Sequence, residues 1–202
     1  MAFTYFFRDM STLKAIQEHV APAVRNHRYI KIWDAGCATG PETYSLAIVL
    51  REALGPYAFR RVTILATDLD EENGQFGEMV RRGEYPKENI KRLPREIVDR
   101  YFSKDDRRGV YRVSDELKRR VTFQQHDLRS LRPVSDYVNL VLCKNVLLHL
   151  SEETRAEVIR MFHKCLAPDG YLVTEQTQQM PSEVRHLFRQ ILPNVRLFQK
   201  VS

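Results

Sequence analysis

The chain has 202 residues, of which 43% are hydrophobic and 29% charged, and this composition excludes collagen-like, low-complexity and disordered proteins. No apolar run approaches the roughly 18 residues that span a bilayer, and the N-terminus does not resemble a signal peptide, so we expect a cytoplasmic protein without membrane insertion. The three cysteines, Cys37, Cys143 and Cys165, are widely spaced and the six histidines are scattered, which argues against a disulfide framework and against a structural metal.

The net charge of +6 is concentrated in the middle of the chain. Positions 81 to 120 hold 14 Lys and Arg against 8 Asp and Glu, so this segment alone carries +6. A basic segment of this kind favours an acidic partner, such as nucleic acid, anionic lipid or an acidic protein surface. The alternative interpretation is a solvated surface without a partner.

Strand patterns alternate with helix patterns along the chain. The predicted strands are 29–35, 62–67, 109–113, 121–124, 137–142 and 171–174. The predicted helices are 41–54, stopped by Gly55-Pro56; 71–82, ending near Gly83; short helices within 84–100; and a helix capped by Ser151 that ends at 168–170. The stripe of Val158, Phe162, Cys165 and Leu166 is the predicted buried face of that last helix.

This alternation predicts an α/β fold with a mostly parallel sheet and helices on both faces. Strands 109–113 and 121–124 interrupt the alternation, and we interpret them as a small hairpin-like insertion. Ligands of parallel sheets bind at the carboxyl ends of the strands, so the residues that follow each strand are the candidates for a site.

A glycine turn and a carboxylate follow the first two predicted strands. The sequence GCATG occupies positions 36–40, and two glycines allow a tight turn that comes close to a ligand. It is neither a dinucleotide-binding nor a Walker motif. Asp68, at the end of the second strand, can accept hydrogen bonds from both hydroxyls of a ribose, whereas Asp70 suits a cap of the following helix. The pattern favours S-adenosylmethionine as ligand over a purely structural turn.

Several motifs, in this order, resemble the CheR family of chemotaxis receptor glutamate O-methyltransferases. They are TYFFRD at 4–9, GCATGPETYSLA at 36–47, TDLD at 67–70, GEY at 83–85 and CKNV at 143–146. The resemblance runs from about Thr4 to the C-terminus. It implies a Rossmann-like class I S-adenosylmethionine-dependent methyltransferase over residues 1–202, with a small inserted antiparallel β-subdomain at about 101–124.

The resemblance also implies a set of site residues. Those that match the family's cofactor-binding positions are Thr4, Arg8, Gly36, Glu42, Asp68, Asp127, Leu128, Cys143, Lys144 and Asn145. Arg8, Asn145 and His149 are the candidate catalytic residues, with Arg8 positioning the incoming carboxylate. S-adenosyl-L-methionine is the implied cofactor and S-adenosyl-L-homocysteine its product, and no metal is implied.

The sequence departs from the family pattern at several positions. Ala2 replaces an asparagine, Asp127 replaces the asparagine of an Asn-Leu pair, Lys144 replaces an arginine, His149 replaces a tyrosine, and EQTQ at 175–178 replaces Gly-His-Ser-Glu. The helical domain that usually precedes the N-terminal motif is not part of the resemblance, and the turn at 103–109 is short for binding a receptor tail. These differences affect the substrate more than the cofactor.

Four of these residues also have simpler interpretations. Phe6 and Phe7 can anchor the N-terminus in the core. Cys143 is better interpreted as a small buried residue than as a nucleophile. His149 can be a core histidine rather than a site residue.

The predicted function is methyl esterification of glutamates on an acidic helical protein such as a chemoreceptor, by a monomeric enzyme. The basic segment 81–120 would dock this partner. Two alternatives remain open. One is a methyltransferase of another substrate, such as RNA or a small molecule, although no Asn-Pro-Pro-Tyr-like motif for a base nitrogen is present. The other is a non-catalytic, cofactor-binding regulatory module.

Overall fold

The computed structural model of the protein describes residues 4–70 and 74–201. Its centre is a seven-stranded sheet with the spatial order β6-β2-β1-β7-β8-β10-β9. The strands are β1 (Ile30–Ala35), β2 (Val62–Asp68), β6 (Val121–Gln125), β7 (Val138–Cys143), β8 (Leu166–Thr174), β9 (Phe188–Leu192) and β10 (Val195–Lys200). The first five of these are parallel, whereas β10 runs antiparallel to both β8 and β9.

Side chains of the central strands alternate between two cores because successive strand residues point to opposite faces. In β1, Ile30 and Ile32 join one buried cluster, whereas Trp33 and Ala35 join the other. Helices cover both faces, which confirms the predicted class of fold. Such a doubly covered parallel sheet requires nearly continuous apolar strands, and all six residues of β7 are buried.

The predicted helices are present close to their predicted positions. The described helices are α1 (Met10–Ala15), which continues through a π-helical turn (Ile16–Val20) into α2 (Ala21–Val24); α3 (Pro41–Phe59); α4 (Gln75–Arg82); α5 (Lys87–Ile90); α6 (Arg95–Tyr101); α7 (Asp115–Lys118); and α8 (Glu152–Cys165). The N-terminal helices α1 and α2 and the short helix α7 were not predicted. Gly55 interrupts α3 with a φ of 75°, so the predicted stop is a kink after which four more residues are helical. The predicted start of α4 at Glu71 lies outside the described residues.

The predicted helix caps are present. The Asp70 carboxylate accepts hydrogen bonds from the amides of Phe76 and Gly77 at 3.0 and 3.1 Å, and Gly83 ends α4 with a positive φ. Ser151 accepts from the amide of Thr154 at 3.3 Å and so caps α8. Asp70 is therefore a structural residue, as its position after Asp68 suggested.

The small antiparallel sheet exists, but its predicted strand pairing is wrong. It consists of β3 (Glu84–Pro86), β4 (Phe102–Asp105) and β5 (Val110–Val113), in the order β3-β5-β4. The predicted partner strand at 121–124 is instead β6, which pairs in parallel with β2 at the edge of the main sheet. The helix α7 separates β5 from β6 and turns the chain back to the main sheet.

The antiparallel end of the main sheet was not predicted. The strands β9 and β10 form a hairpin that extends the sheet beyond β8. In the part of the chain that the structure describes, no helix is long and apolar enough to cross a membrane, and no cluster of side chains is suited to a metal ion.

Candidate active site

Two adjoining cavities lie at the carboxyl ends of the parallel strands, next to β1 and β7, between which the chain order of the sheet reverses. One has a volume of about 330 Å³ and the other about 270 Å³. Both are lined by Gly36, Asp68, Asn145, Val146 and His149. The sheet therefore brings together residues from the loops after β1, β2 and β7, as the strand-end rule predicted.

The glycine turn after β1 allows two loops to approach each other closely. Gly36 has a φ of +100°, and a Cβ atom there would lie 2.0 Å from the Val146 Cγ2 atom in the loop after β7. A side chain at Gly40, also in the left-handed region at +98°, would collide with the Tyr85 hydroxyl at 2.7 Å. Only glycine fits these positions, and the resulting turn leaves space for a ligand above the strand ends.

Asp68 lies where the two cavities meet. Its Oδ2 atom accepts a hydrogen bond from the Ala38 amide at 2.9 Å, and its Oδ1 atom accepts one from the Asp70 amide at 3.3 Å. These two bonds fix the carboxylate against the glycine turn. Each oxygen retains a lone pair that can accept from a ligand hydroxyl.

We expect Asp68→Ala to weaken the binding of S-adenosylhomocysteine by about tenfold, because a nucleoside ribose would lose a charged acceptor for its hydroxyls. Isothermal titration calorimetry of the purified variant measures this. Asp169→Ala is a suitable comparison, because Asp169 is exposed and lines neither cavity. An unchanged affinity in Asp68→Ala would remove this residue from the site.

The N-terminal segment is anchored by Phe6, which is 2% exposed. Its ring meets those of Tyr85 and Phe102 edge-on, with centroids 5.0 and 5.4 Å apart, so the core role proposed for Phe6 is confirmed. Phe7 has a φ of 56°, and its amide donates to the Ser45 hydroxyl at 2.9 Å. This unusual backbone turn ends the anchored segment directly before Arg8, at the wall of the smaller cavity.

Arg8 is exposed and lines the smaller cavity together with Thr4 and Glu42. Its guanidinium lies 6.0 Å from the centroid of the Tyr5 ring, and the guanidinium of Arg92 lies 5.3 Å from the same ring. Burial raises the pKa of Glu42, and the positive charge of Arg8 offsets part of this increase. Arg8 therefore presents a cation at the entrance of a cavity that has a carboxylate on its wall.

A buried ammonium group connects the N-terminal segment to this cavity. The Lys144 side chain is only 4% exposed, and its Nζ atom lies 2.6 Å from Asp9 Oδ2 and 3.6 Å from Glu42 Oε1. Burial alone would raise the pKa of Asp9, but hydrogen bonds from Lys144 and Ser11 hold it below its ordinary value. Burial raises the pKa of Glu42. This ion-pair cluster fixes the relative position of three chain segments.

Asp34 is a buried carboxyl group below the glycine turn, 2% exposed. Burial, together with the nearby charge of Glu42, raises its pKa to about 8, although Thr43 donates a hydrogen bond of 2.5 Å to it. The folded state therefore retains a proton that the unfolded chain releases above about pH 4.

As the pH rises from about 4 to 8, this group makes the folded state progressively less stable, by at most about 1.4 kcal/mol per pH unit. We expect Asp34→Asn, which cannot titrate but can still accept from Thr43, to reduce this slope. Urea denaturation of both proteins across this pH range measures it. Equal slopes in the two proteins would show that Asp34 is ionised throughout.

The burial of the three cysteines makes them unsuited to act as nucleophiles. All three are free and buried, and burial raises the pKa of each thiol, that of Cys165 to about 12. Cys143 is the last residue of β7 and lines neither of the two cavities. Its side chain packs in the core between the sheet and α8.

The remaining predicted residues lie at the cavities. Asp127 and Leu128 line the larger cavity, whereas Asn145 and His149 line both. Asn145 has a φ of 58°, so the loop after β7 is strained at the site. His149 is exposed in a short 3-10 turn (Leu147–His149), and its interpretation as a core histidine is therefore wrong. Ala2 lies outside the described residues.

His126 was not selected from the sequence, although it directly follows β6. It lines the larger cavity, and its ring meets Trp33 edge-on at a centroid distance of 5.7 Å. Its Nε2 atom is buried without a hydrogen-bond partner among the described residues, and burial lowers its pKa. The strand-end rule could have found it if β6 had been assigned to the main sheet.

The side chains at the two cavities fit S-adenosylmethionine. The larger cavity combines apolar walls from Leu69, Leu128 and Val146 with two carboxylates, which suits an adenosine. The smaller cavity carries groups of both charges, Arg8, Glu42 and Lys144, which suits the ammonium and carboxylate of an amino acid. The shared wall at Asp68 lies where a ribose would join these two parts. The fold and this site define a class I S-adenosylmethionine-dependent methyltransferase.

A family model described as "CheR methyltransferase, SAM binding domain" matches residues 2–195, and the chain therefore belongs to the CheR family. This confirms the predicted class of enzyme and the predicted cofactor. The structure also resembles the crystal structure of a methyltransferase from Geobacter sulfurreducens, with a TM-score of 0.53 and 14% identity over 92% of this chain and 78% of that one. That likeness supports the fold alone.

Curated relatives extend beyond the residues of this chain. "Chemotaxis protein methyltransferase 2" of Vibrio cholerae is 28% identical over 203 residues, covering 98% of this chain and 67% of that protein. The "Chemotaxis protein methyltransferase" of Salmonella typhimurium is 32% identical over 185 residues, which cover 90% of this chain and 62% of the Salmonella protein. The chain thus spans about two thirds of the curated relatives that it matches.

Proposed function

We propose that this domain forms methyl esters on glutamate side chains of an acidic, helical protein of the chemoreceptor type. The observation that carries the proposal is the exposed guanidinium of Arg8 at the wall of the smaller cavity. A planar guanidinium can hold a carboxylate in fixed geometry, which is what a carboxylate acceptor needs. The relatives named as chemotaxis methyltransferases support this choice of substrate class.

The chemistry requires orientation more than acid–base catalysis. S-adenosylmethionine supplies an electrophilic methyl group on a sulfonium. A glutamate, with a reference pKa of about 4.3, is already ionised at neutral pH and needs no general base. Consistent with this, Asp34 is buried below the turn and Lys144 is held between two carboxylates. The remaining task for Arg8, Asn145 and His149 is to align the acceptor oxygen and exclude water.

The test is the chemical stability of the product. The 202-residue chain is incubated with methyl-labelled S-adenosylmethionine and the cytoplasmic part of a chemoreceptor, and the product is treated with mild alkali. Release of labelled methanol is the expected result for an ester. A methyl group that withstands alkali, or that appears on added RNA instead, would favour the alternative substrates. Tight cofactor binding without transfer to any acidic protein would favour a regulatory module.

A further inference from the structure

A second set of cavities lies beside the candidate transfer site, along the loop after β8. One, of about 510 Å³, is lined by Leu148, Arg155, Gln178, Met180 and Arg185 among others, and the next, of about 410 Å³, shares Met180 and Arg185 with it and reaches Arg196. We call these two cavities the C-terminal groove. It starts at Leu148, the neighbour of His149 in the same 3-10 turn, so it lies next to the transfer site.

The groove carries positive charge above an apolar floor. Arg185 is exposed and Arg196 half-buried, and neither has a carboxylate partner among residues 4–70 and 74–201. Met180, Phe188 and Phe198, each less than 10% exposed, form the floor. A surface of this kind fits a segment with both acidic and apolar side chains.

The groove also contains a buried hydrogen-bond acceptor that a bound partner could satisfy. The Oε1 atom of Gln178 is buried and has no hydrogen-bond partner within the described part of the chain. A donor from a bound polypeptide would satisfy it. Glu152 also lies on the wall. It disfavours a nucleic acid, which carries a negative charge at every phosphate, more than a helix whose acidic side chains lie on one face.

The groove is also connected to the segment that carries Arg8. Arg196 Nε donates to the Gln176 carbonyl at 3.4 Å, and Gln176 Nε2 donates to the Thr12 hydroxyl at 3.2 Å. Thr12 in turn donates to Asp9 at 2.7 Å, one residue after Arg8. The groove wall and the segment that carries Arg8 are thus held in a fixed relation.

The basic segment 81–120 offers less free charge than its composition indicates. Half of its 14 basic side chains form ion pairs with carboxylates: Arg82, Arg95, Arg100, Lys104, Arg108, Arg112 and Lys118. Arg108 and Arg112 both pair with Glu84 on the small sheet. This pairing reduces the field that the segment presents to a partner.

From these observations we infer that the C-terminal groove is the docking surface for the acidic helical segment that carries the acceptor glutamate. The inference rests on the proposed function, since it assigns the place where that substrate binds. Arg185 and Arg196 would pair with acidic side chains on one face of the helix, which recur every three or four residues. The apolar floor would bury the side chains between them.

The test is a charge reversal with a matched control. Arg185→Glu changes the groove, and Arg107→Glu makes the same change at an exposed arginine of the small-sheet turn that has no ion pair among the described residues. The probe is a fluorescein-labelled helical peptide with glutamates on one face, and a glutamine version of it is the control. Fluorescence anisotropy measures peptide binding to the chain saturated with S-adenosylhomocysteine.

We expect Arg185→Glu to weaken binding of the glutamate peptide at least about fivefold and to raise KM for a protein substrate similarly, with kcat and cofactor affinity little changed. Arg107→Glu should change binding less than twofold. The groove is not the docking surface if the unchanged chain does not bind the peptide, if Arg185→Glu binds it equally well, or if only Arg107→Glu loses binding. The inference would also be overturned if polyuridylate, and not the peptide, binds in a way that depends on Arg185. Arg185-dependent peptide binding without any base-labile methyl product would instead contradict the proposed function and leave the groove assignment intact.

Discussion

Lys144→Met is expected to lower the free energy of unfolding by about 3 kcal/mol, because it removes the ammonium group from a buried cluster and leaves two carboxylates without their partner. Methionine retains the length of the side chain, so the change removes charge more than volume. The Asp9 and Glu42 side chains are 16% and 17% exposed, so water can only partly replace the ammonium. Urea denaturation at neutral pH measures the loss.

The structure supplies a matched control on the adjacent helix. Lys14 pairs with Glu18 at 3.7 Å, with both side chains more than half exposed, so Lys14→Met should cost less than about 0.5 kcal/mol. Hydrogen exchange gives a local readout, since α1 and the segment before it should exchange faster in Lys144→Met but not in Lys14→Met. If Lys144→Met unfolds at the same urea concentration as the unchanged chain, the cluster does not hold the N-terminal segment.

The sequence predicted those parts of the fold that depend on local pattern. The run around β1 is nearly continuously apolar, as expected for a strand buried on both faces, and its end at Gly36 marks a turn that only glycine permits. Asp68 could be proposed as a site residue because a carboxylate at a strand end is visible from sequence alone, and it lines both cavities. The cap formed by Asp70 was equally local, since its partners are six and seven residues away.

The pairing of the strands was harder to predict from the sequence. The run Val121–Gln125 looks the same whether it pairs antiparallel with β5 or parallel with β2, and the contacts that decide this come from residues more than 50 positions away. Glu84–Pro86 has only three residues and ends in a proline, so it could not be recognised as a strand. The presence of a small antiparallel sheet could therefore be predicted, but the strands that form it could not.

The candidate site likewise combines residues that local sequence predicts with contacts that only the tertiary structure shows. Each residue at a strand end could be proposed singly, but the ion pair between Asp9 and Lys144 joins positions 135 residues apart. No spacing in the sequence indicates that these two side chains meet. The orphaned nitrogen of His126 and the C-terminal groove likewise depend on tertiary packing.

Arg8→Ala is expected to reduce turnover at least about tenfold, while affinity for S-adenosylhomocysteine falls much less. The reason is the position of Arg8, which lies at the cavity wall but follows a segment that is anchored independently by Phe6. Removing the guanidinium should therefore leave the backbone in place and remove the group that orients the acceptor carboxylate, while Glu42 and Lys144 still hold the amino-acid end of the cofactor. Steady-state kinetics with a receptor substrate and calorimetry with the product measure the two quantities separately.

Two further variants separate charge from geometry at this position. Arg8→Lys keeps the positive charge but not the planar pair of donors, so it should recover only part of the lost turnover. Arg92→Ala removes the exposed arginine that packs over the same Tyr5 ring but does not line the cavity, and it should change turnover less than about twofold. If Arg8→Ala turns over like the unchanged enzyme, the carboxylate is oriented by other groups, and Asn145 and His149 would become the candidates because they line both cavities.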